Sequence, residues 1–214
     1  MKNKRGLFIV LEGGEGVGKT TNLSFIQDYL LQQGVQLQCS REPGGTEIAE
    51  KIREIILQEH TEPMADLTEL LLMFAARAQH LEQKILPCLN EGQWMLCDRF
   101  TDASYAYQGG GRQLDKDTII ALENLVQKAL RPDCVILLDA PVEVGHARAK
   151  ARAALDRMEL ESQAFHQRVR DAYLERAAQA PERYALINAA QPLEQVQADI
   201  QAVLSQLLQR WQHA

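Results

Sequence analysis

Five short apolar runs punctuate the chain, at Leu7–Leu11, Val35–Ser40, Trp94–Cys97, Val135–Asp139 and Ala185–Asn188. Each has the length and bounding polar residues of a strand buried in a sheet. Between them apolar residues recur every three or four positions, as at Leu23, Ile26 and Leu30 and again at Ile48, Ile52, Ile55 and Ile56. That is the period of a helix with one buried face. Strands alternating with helices predict an α/β fold, a parallel sheet covered by helices on both faces. The C-terminal stretch carries the clearest stripe, Val196, Ile200, Val203, Leu204, Leu207, Leu208 and Trp211, with Pro192 near its first turn. It reads as a helix packed on the sheet. Gly145 to Glu161 breaks the pattern: it is rich in Ala and Arg and poor in large apolar residues, so an exposed, mobile helix is expected there.

Composition narrows the class. The 214 residues suit one domain, with 46% hydrophobic and 24% charged side chains in the proportions of a globular protein. The longest apolar run, Leu70 to Ala76, is seven residues, against the ~20 needed to cross a bilayer. A basic start, Met1-Lys2-Asn3-Lys4-Arg5, precedes Leu7–Leu11 but the apolar part stops at Glu12, too soon for a signal peptide. The cysteines Cys39, Cys88, Cys97 and Cys134 lack metal-ligand spacing and sit in apolar surroundings, as thiols of a reducing, cytoplasmic compartment do. His60, His80, His146, His166 and His213 show no metal spacing and receive no chemistry. The formal charge of −6 argues against a nucleic-acid-binding role but not against a small phosphorylated substrate.

The strongest chemical signal follows the first strand: Gly13-Gly14-Glu15-Gly16-Val17-Gly18-Lys19-Thr20, the G-x-x-x-x-G-K-[ST] pattern, with a strand before and an amphipathic helix after. Glycines let successive backbone N–H groups turn around a phosphate, and the helix points its positive end at the same anion. Lys19 reaches the outer phosphates and the Thr20 hydroxyl can coordinate Mg²⁺. Glu15 is out of place in an anion cradle; it should face away from the phosphates, toward a hydroxyl or a metal-bound water, unless it is simply a solvated loop carboxylate. Further motifs stand at strand ends, where open parallel sheets bind ligands: Arg41-Glu42-Pro43-Gly44-Gly45-Thr46, Asp98-Arg99-Phe100 and Ala106-Tyr107-Gln108-Gly109-Gly110-Gly111-Arg112. Their arginines imply a second anionic ligand opposite the triphosphate.

Taken together, GGEGVGKT, REPGGT, DRF, AYQGGGR and the LDR at Leu155 resemble the thymidylate kinase family, in that family's order and over most of the chain. The resemblance implies a P-loop kinase fold, a five-stranded parallel sheet with a small helical lid, in which 1–214 form one nucleoside monophosphate kinase domain with a lid at about 145–161. It implies transfer of the γ-phosphoryl group of Mg²⁺-ATP to dTMP for dTTP synthesis, by a homodimer joined through helices such as Leu67–Phe74 or Ile119–Val126. Gly13 to Thr20 would hold ATP. Glu15 would match the loop carboxylate near the deoxyribose 3′-hydroxyl, and Asp98 the strand-end acid of the Mg²⁺ and water network. Arg99 and Arg53 resemble contacts to the dTMP phosphate, and Arg77 the side chain on the thymine edge. Glu42, Ser104, Tyr107 and Gln108 complete the implied dTMP site. Where the family places a stacking Phe, this chain has Met73, with Phe74 one residue later. A one-residue step turns a helical side chain by ~100°, so either Met73 or Phe74 meets the base.

The resemblance also gives the Ala/Arg segment a purpose, a lid closing over the ATP phosphates. Gly14 to Val17 contains no basic residue, as in bacterial members that carry the catalytic arginine in the lid. Arg152 is the leading candidate; Arg148, four residues earlier, would share its face, while Lys150 lacks the bidentate fork. A well-placed arginine is worth roughly 10³–10⁵ in such reactions. On this reading ten basic residues, Lys19, Arg41, Arg53, Arg77, Arg99, Arg112, Arg148, Lys150, Arg152 and Arg157, converge on one cleft. The competing readings are a related kinase for another monophosphate or a deoxynucleoside, and a nucleotide switch without a small acceptor.

Overall fold

The computed structural model describes residues 4–150, 157, 158 and 160–213. The five apolar runs form β1 (Phe8–Gly13), β2 (Leu37–Arg41), β3 (Trp94–Asp98), β4 (Cys134–Asp139) and β5 (Tyr184–Asn188). They assemble into one parallel sheet in the order β2-β3-β1-β4-β5, with Leu11 level with Asp98 of β3 and Ile136 of β4. The strand ends shift by up to two residues from the apolar runs, because ladder pairing continues into polar positions such as Glu12 and Asp98.

Alternation along the strands divides the core. Ile9, Leu11, Trp94, Leu96, Ile136 and Leu138 face one layer, built by α1 (Lys19–Gln32) and the C-terminal α9 (Leu193–His213). The predicted stripe does the packing there: Val196, Ile200, Leu204 and Leu208 are buried, and Trp211 meets Trp94 edge-on at 5.5 Å. Phe8, Val10, Met95 and Cys97 face the other layer. It contains α3 (Asp66–His80), a π-helical turn Leu81–Ile85 that runs on into α4 (Leu86–Asn90), and α6 (Lys116–Gln127) and α8 (Gln163–Gln179). The short α2 (Glu47–Leu57) lies against α3, and α5 (Thr101–Ser104) continues as a wide π-helical stretch, Tyr105–Gly111, packed on α8.

β1 is central, and the chain crosses to one side for β2 and β3 and to the other for β4 and β5. The connections after β1, β2 and β3 therefore gather at the carboxyl edge around the switch in strand order, where a cleft opens. The Ala/Arg-rich segment begins as α7 (Val142–Lys150). Among its described residues, Ala149 and Met158 are buried.

Candidate active site

The phosphate-loop pattern joins β1 to α1 as expected. Gly18 caps α1 with φ 91°; no side chain bonds to the helix's first N–H groups and no acid stands in its first turn. Its positive end is thus open to an anion. Lys19 donates to the Gly14 and Gly13 carbonyls at 2.7 and 3.1 Å. Burial and the nearby Arg99 push its ammonium down to about 8, against the opposing pull of Glu15, Asp98 and Glu12. The loop's far side touches α7 backbone to backbone: a Cβ on Gly16, which has φ 68°, would stand 1.9 Å from the Gly145 carbonyl oxygen. Only glycine allows that approach. Beside the loop, Asp98 Oδ1 is buried with no hydrogen-bond partner among the described residues.

Opposite the loop stands Arg99. Its backbone takes φ 66°, rare for a non-glycine residue, and its N–H donates to Leu11 at 2.9 Å. Strain of this kind persists at functional sites where surrounding structure enforces it. Arg99 Nη2 and the Tyr107 hydroxyl both donate to Glu15 Oε1 at 2.5 Å, and the guanidinium lies 4.7 Å from the Tyr107 ring centroid. Burial alone would raise the Glu15 carboxyl; the charges of Arg99 and Lys19 outweigh it and hold it down at about 2. Glu15 is thus no solvated loop carboxylate. Just upstream, Glu12 is fully buried and accepts from the Phe100 N–H and the Tyr173 hydroxyl; desolvation pushes its carboxyl well up the scale.

Arg77 forms the cleft's third wall. It is buried between the Phe74 and Phe100 rings, 4.6 and 5.3 Å from their centroids. Its Nε donates to Glu42 at 2.6 Å and its Nη2 to the Phe100 carbonyl and Ser104 Oγ, both at 3.1 Å. Nη1 is buried with no partner among the described residues. A turn earlier on α3, Met73 lines the cleft while Phe74 packs in the core with Leu70, Tyr105 and Ile119. Ser104, Tyr107 and Gln108, three and four residues apart along the α5–π-helical stretch, also line it, as does Arg53, which donates to the Pro43 carbonyl at 2.9 Å. Glu15, Gly16, Gly18, Lys19, Thr20, Glu42, Asp98 and Arg99 line the polar side of the cleft.

Comparison with known proteins agrees with this geometry. The family model described as thymidylate kinase matches residues 11–200. The chain is 58% identical over 204 residues to the thymidylate kinase of Ectopseudomonas mendocina, covering 95% of this chain and 97% of that protein. It is 57% identical over 206 residues to that of Alcanivorax borkumensis, covering 96% and 99%. The crystal structure of thymidylate kinase from Ehrlichia chaffeensis superposes with a TM-score of 0.76 at 31% identity, covering 94% of this chain and 99% of that one.

The chain belongs to the thymidylate kinase family. It is a dTMP kinase on a P-loop kinase fold, and it phosphorylates dTMP to dTDP.

In this kinase the convergence of ten basic residues is corrected by the structure. Lys19, Arg53, Arg77 and Arg99 line the cleft. Arg41 instead pairs with Glu50 at 2.8 Å on the surface, and Arg148 donates to the Ala189 carbonyl at 2.8 Å. Arg112 and Arg157 turn to Glu69, a carboxylate of α3 that is 1% exposed and also accepts from Gln108 at 2.8 Å. Arginines bond to the nearest buried acceptor, and Glu69 supplies one just outside the cleft. The side chain of Lys150 and the whole of Arg152 lie outside the described residues. Of the two residues expected to meet the base, Met73 stands on the cleft wall and Phe74 serves the core.

Sequence reasoning missed Leu57, Ala103 and Met158, apolar residues that complete the cleft wall, and the supporting Glu69 and His80. Met158 stands directly after the LDR motif, and that adjacency was the available signal. Nothing in the sequence marks Glu69 or His80, because a buried carboxylate or imidazole on a helix looks the same as a solvated one until its neighbours arrive.

Proposed function

We propose that the two halves of the cleft hold the two substrates, ATP on the phosphate loop and dTMP against Arg99 and Arg77. What carries this reading is the opposition, within one cleft, of an uncapped helix N-terminus bearing Lys19 to a buried guanidinium whose Nη1 has no partner among the described residues. The backbone of Gly13 to Gly18 cradles the ATP phosphates, and Lys19 neutralises their outer charge. Arg99 and Arg53 grip the dTMP phosphate in line with the γ-phosphorus. Arg77 donates to the thymine edge, Met73 packs its polarizable side chain on the base, and Ser104, Gln108, Glu42 and Tyr107 complete the fit. Glu15, held ionised by Arg99, accepts from the 3′-hydroxyl, which favours a deoxynucleotide with that group free. Phosphoryl transfer leaves little covalent work, so positioning and charge stabilisation supply the rate.

Among the described residues no three His, Cys, Asp or Glu side chains stand together as a metal cage. Mg²⁺ commonly binds through one or two protein oxygens plus substrate phosphates, and the partnerless Asp98 Oδ1 and the Thr20 hydroxyl fit that pattern. When bound, Mg²⁺ would neutralise the phosphate charge that develops in transfer.

The family resemblance supports a lid at about 145–161 that closes over the ATP phosphates, within a single domain spanning 1–214, with Arg152 supplying the catalytic charge. Exposed Leu67 and Leu71 on α3 and Ile120 on the adjacent α6 support a homodimer joined through these helices. No helix of the described residues is long and apolar enough to cross a membrane, and four free cysteines accord with a cytoplasmic enzyme. ADP release measured with Mg²⁺-ATP across a panel of nucleoside monophosphates tests the whole. Stimulation by dTMP above all others is expected; ADP release independent of an acceptor would overturn it.

A further inference from the structure

Behind the Glu42–Arg77 pair runs a polar chain that the roles above leave unused. His80, in the last turn of α3 and 0% exposed, has Nδ1 3.0 Å from Glu42 Oε1 and Nε2 2.6 Å from Ser40 Oγ on β2. It lies three residues after Arg77, on the same helix face. A carboxylate paired with arginine only accepts, so Nδ1 donates to Glu42; in the neutral ring Nε2 then accepts from the Ser40 hydroxyl. Every member of the chain Ser40–His80–Glu42–Arg77 then has its bonds, apart from Arg77 Nη1, which is buried with no partner among the described residues, in a side chain that lines the cleft. The REPGG turn is shaped around this chain. A Cβ on Gly45, at φ 86°, would stand 2.4 Å from Ser40 Oγ and 2.6 Å from His80 Nε2. The turn thus closes directly over the Ser40–His80 bond, and a side chain there would force it apart.

We infer that His80 is a positioning residue for base selection, which through Glu42 holds Arg77 so that Nη1 meets the base as a fixed donor. The inference rests on the reading of Arg77 as the contact to the thymine edge. A fixed N–H donor suits the keto oxygen at C4 of thymine and opposes the amino group that cytosine carries there. If Glu42 were free to rotate, Arg77 could swing and the discrimination would soften. Buried polar sites reject a mismatched group by leaving it unpaired, and that rejection needs a rigid partner.

Steady-state kinetics of the full chain with dTMP and dCMP tests this. Asn at position 80 sets an amide nitrogen where Nδ1 stands and keeps the bond to Glu42; Gln reaches the place of Nε2 and keeps the bond to Ser40. His80→Gln should raise the dTMP KM about tenfold and narrow the dTMP-over-dCMP ratio of kcat/KM by a similar factor, with the ATP KM unchanged. His80→Asn should stay within about threefold of wild type on both measures. Equal losses in the two variants, or a preserved ratio with a lowered kcat, would reduce His80 to a packing residue and overturn the inference. If neither variant folds, Ser40→Ala decides, since it removes the hydroxyl that holds the ring at Nε2 and lets the ring turn away from Glu42. The ratio should then fall about threefold, and an unchanged ratio overturns the inference. Arg77→Met separates the two readings: an unchanged dTMP KM removes the base contact and the inference with it. Loss there alongside indifferent His80 and Ser40 variants sinks the inference alone.

Discussion

Glu15 Oε1 stands 2.5 Å from Arg99 Nη2, so a carboxylate of the phosphate loop is tied to the arginine that ends β3. The pair bridges the two halves of the cleft and keeps Glu15 ionised, its carboxyl at about 2. Glu15→Gln keeps the shape but removes the charge that holds Arg99 and that the proposed dTMP site aims at the 3′-hydroxyl. The kcat/KM for dTMP should fall roughly tenfold to a hundredfold, the range for a lost charged hydrogen bond. The preference for dTMP over its 3′-deoxy analogue should collapse at the same time. An intact preference would confine Glu15 to orienting Arg99.

Arg148 donates to the Ala189 carbonyl, and Arg152 stays ahead of Lys150 as the proposed source of transition-state charge because only an arginine offers a bidentate fork. Arg152→Ala should lower kcat at least a hundredfold, within the roughly 10³–10⁵ such arginines supply, and leave the dTMP KM nearly unchanged. Arg148→Ala should cost far less. A comparable loss in both, read by single-turnover kinetics, would move the catalytic role.

Lys19 carries a pH signature. Its ammonium sits at about 8 in the free cleft, lowered by burial and Arg99, and a triphosphate would raise it. The protonated form is thus favoured by binding, so ATP affinity should fall as pH rises through about 8, with uptake of up to one proton per nucleotide bound above it. Calorimetry at pH 8.5 in buffers of different ionisation enthalpy measures this directly; no proton uptake would mean that Lys19 is fully charged before ATP arrives.

Glu69 is a hub: it accepts from Gln108 and pairs with Arg157 at 2.5 Å and Arg112 at 3.3 Å. Glu69→Ala takes the carboxylate from Arg157, which keeps the Ile56 carbonyl, and leaves Arg112 to Glu161 and Asp66, so it should cost about 2 kcal/mol by chemical denaturation. Because Gln108 and Met158, the neighbour of Arg157, both line the cleft, the dTMP KM should also rise, while the ATP KM should change little. A stability loss with no change in dTMP KM would make the hub purely structural.

Much of this was legible from residue order. Strands and helices follow local periodicity, and the loop from Gly13 to Thr20 is contiguous, so its geometry is written in one stretch of chain. Arg99 was marked by its DRF motif, and Arg77 by the family resemblance alone. The arginines that turned elsewhere were not: Arg112 and Arg157 chose Glu69, 43 and 88 residues away, and Arg148 chose a carbonyl 41 residues on. The Met73 or Phe74 question turned on which face of α3 packs against Tyr105 and Ile119, a matter no spacing on α3 alone could decide.

The amino-acid sequence by itself determined the α/β architecture, the phosphate loop and the family, because each depends on short-range pattern or contiguous motif. The tertiary structure alone decided which charges meet. A guanidinium's partner is set by burial and by acceptors brought from distant elements, and the energy of a pair depends on separations and solvent exclusion that exist only once the chain is folded. Among the described residues the acidic chain brings four basic side chains into its cleft, and the buried carboxylates Glu42 and Glu69 govern where the neighbouring arginines point.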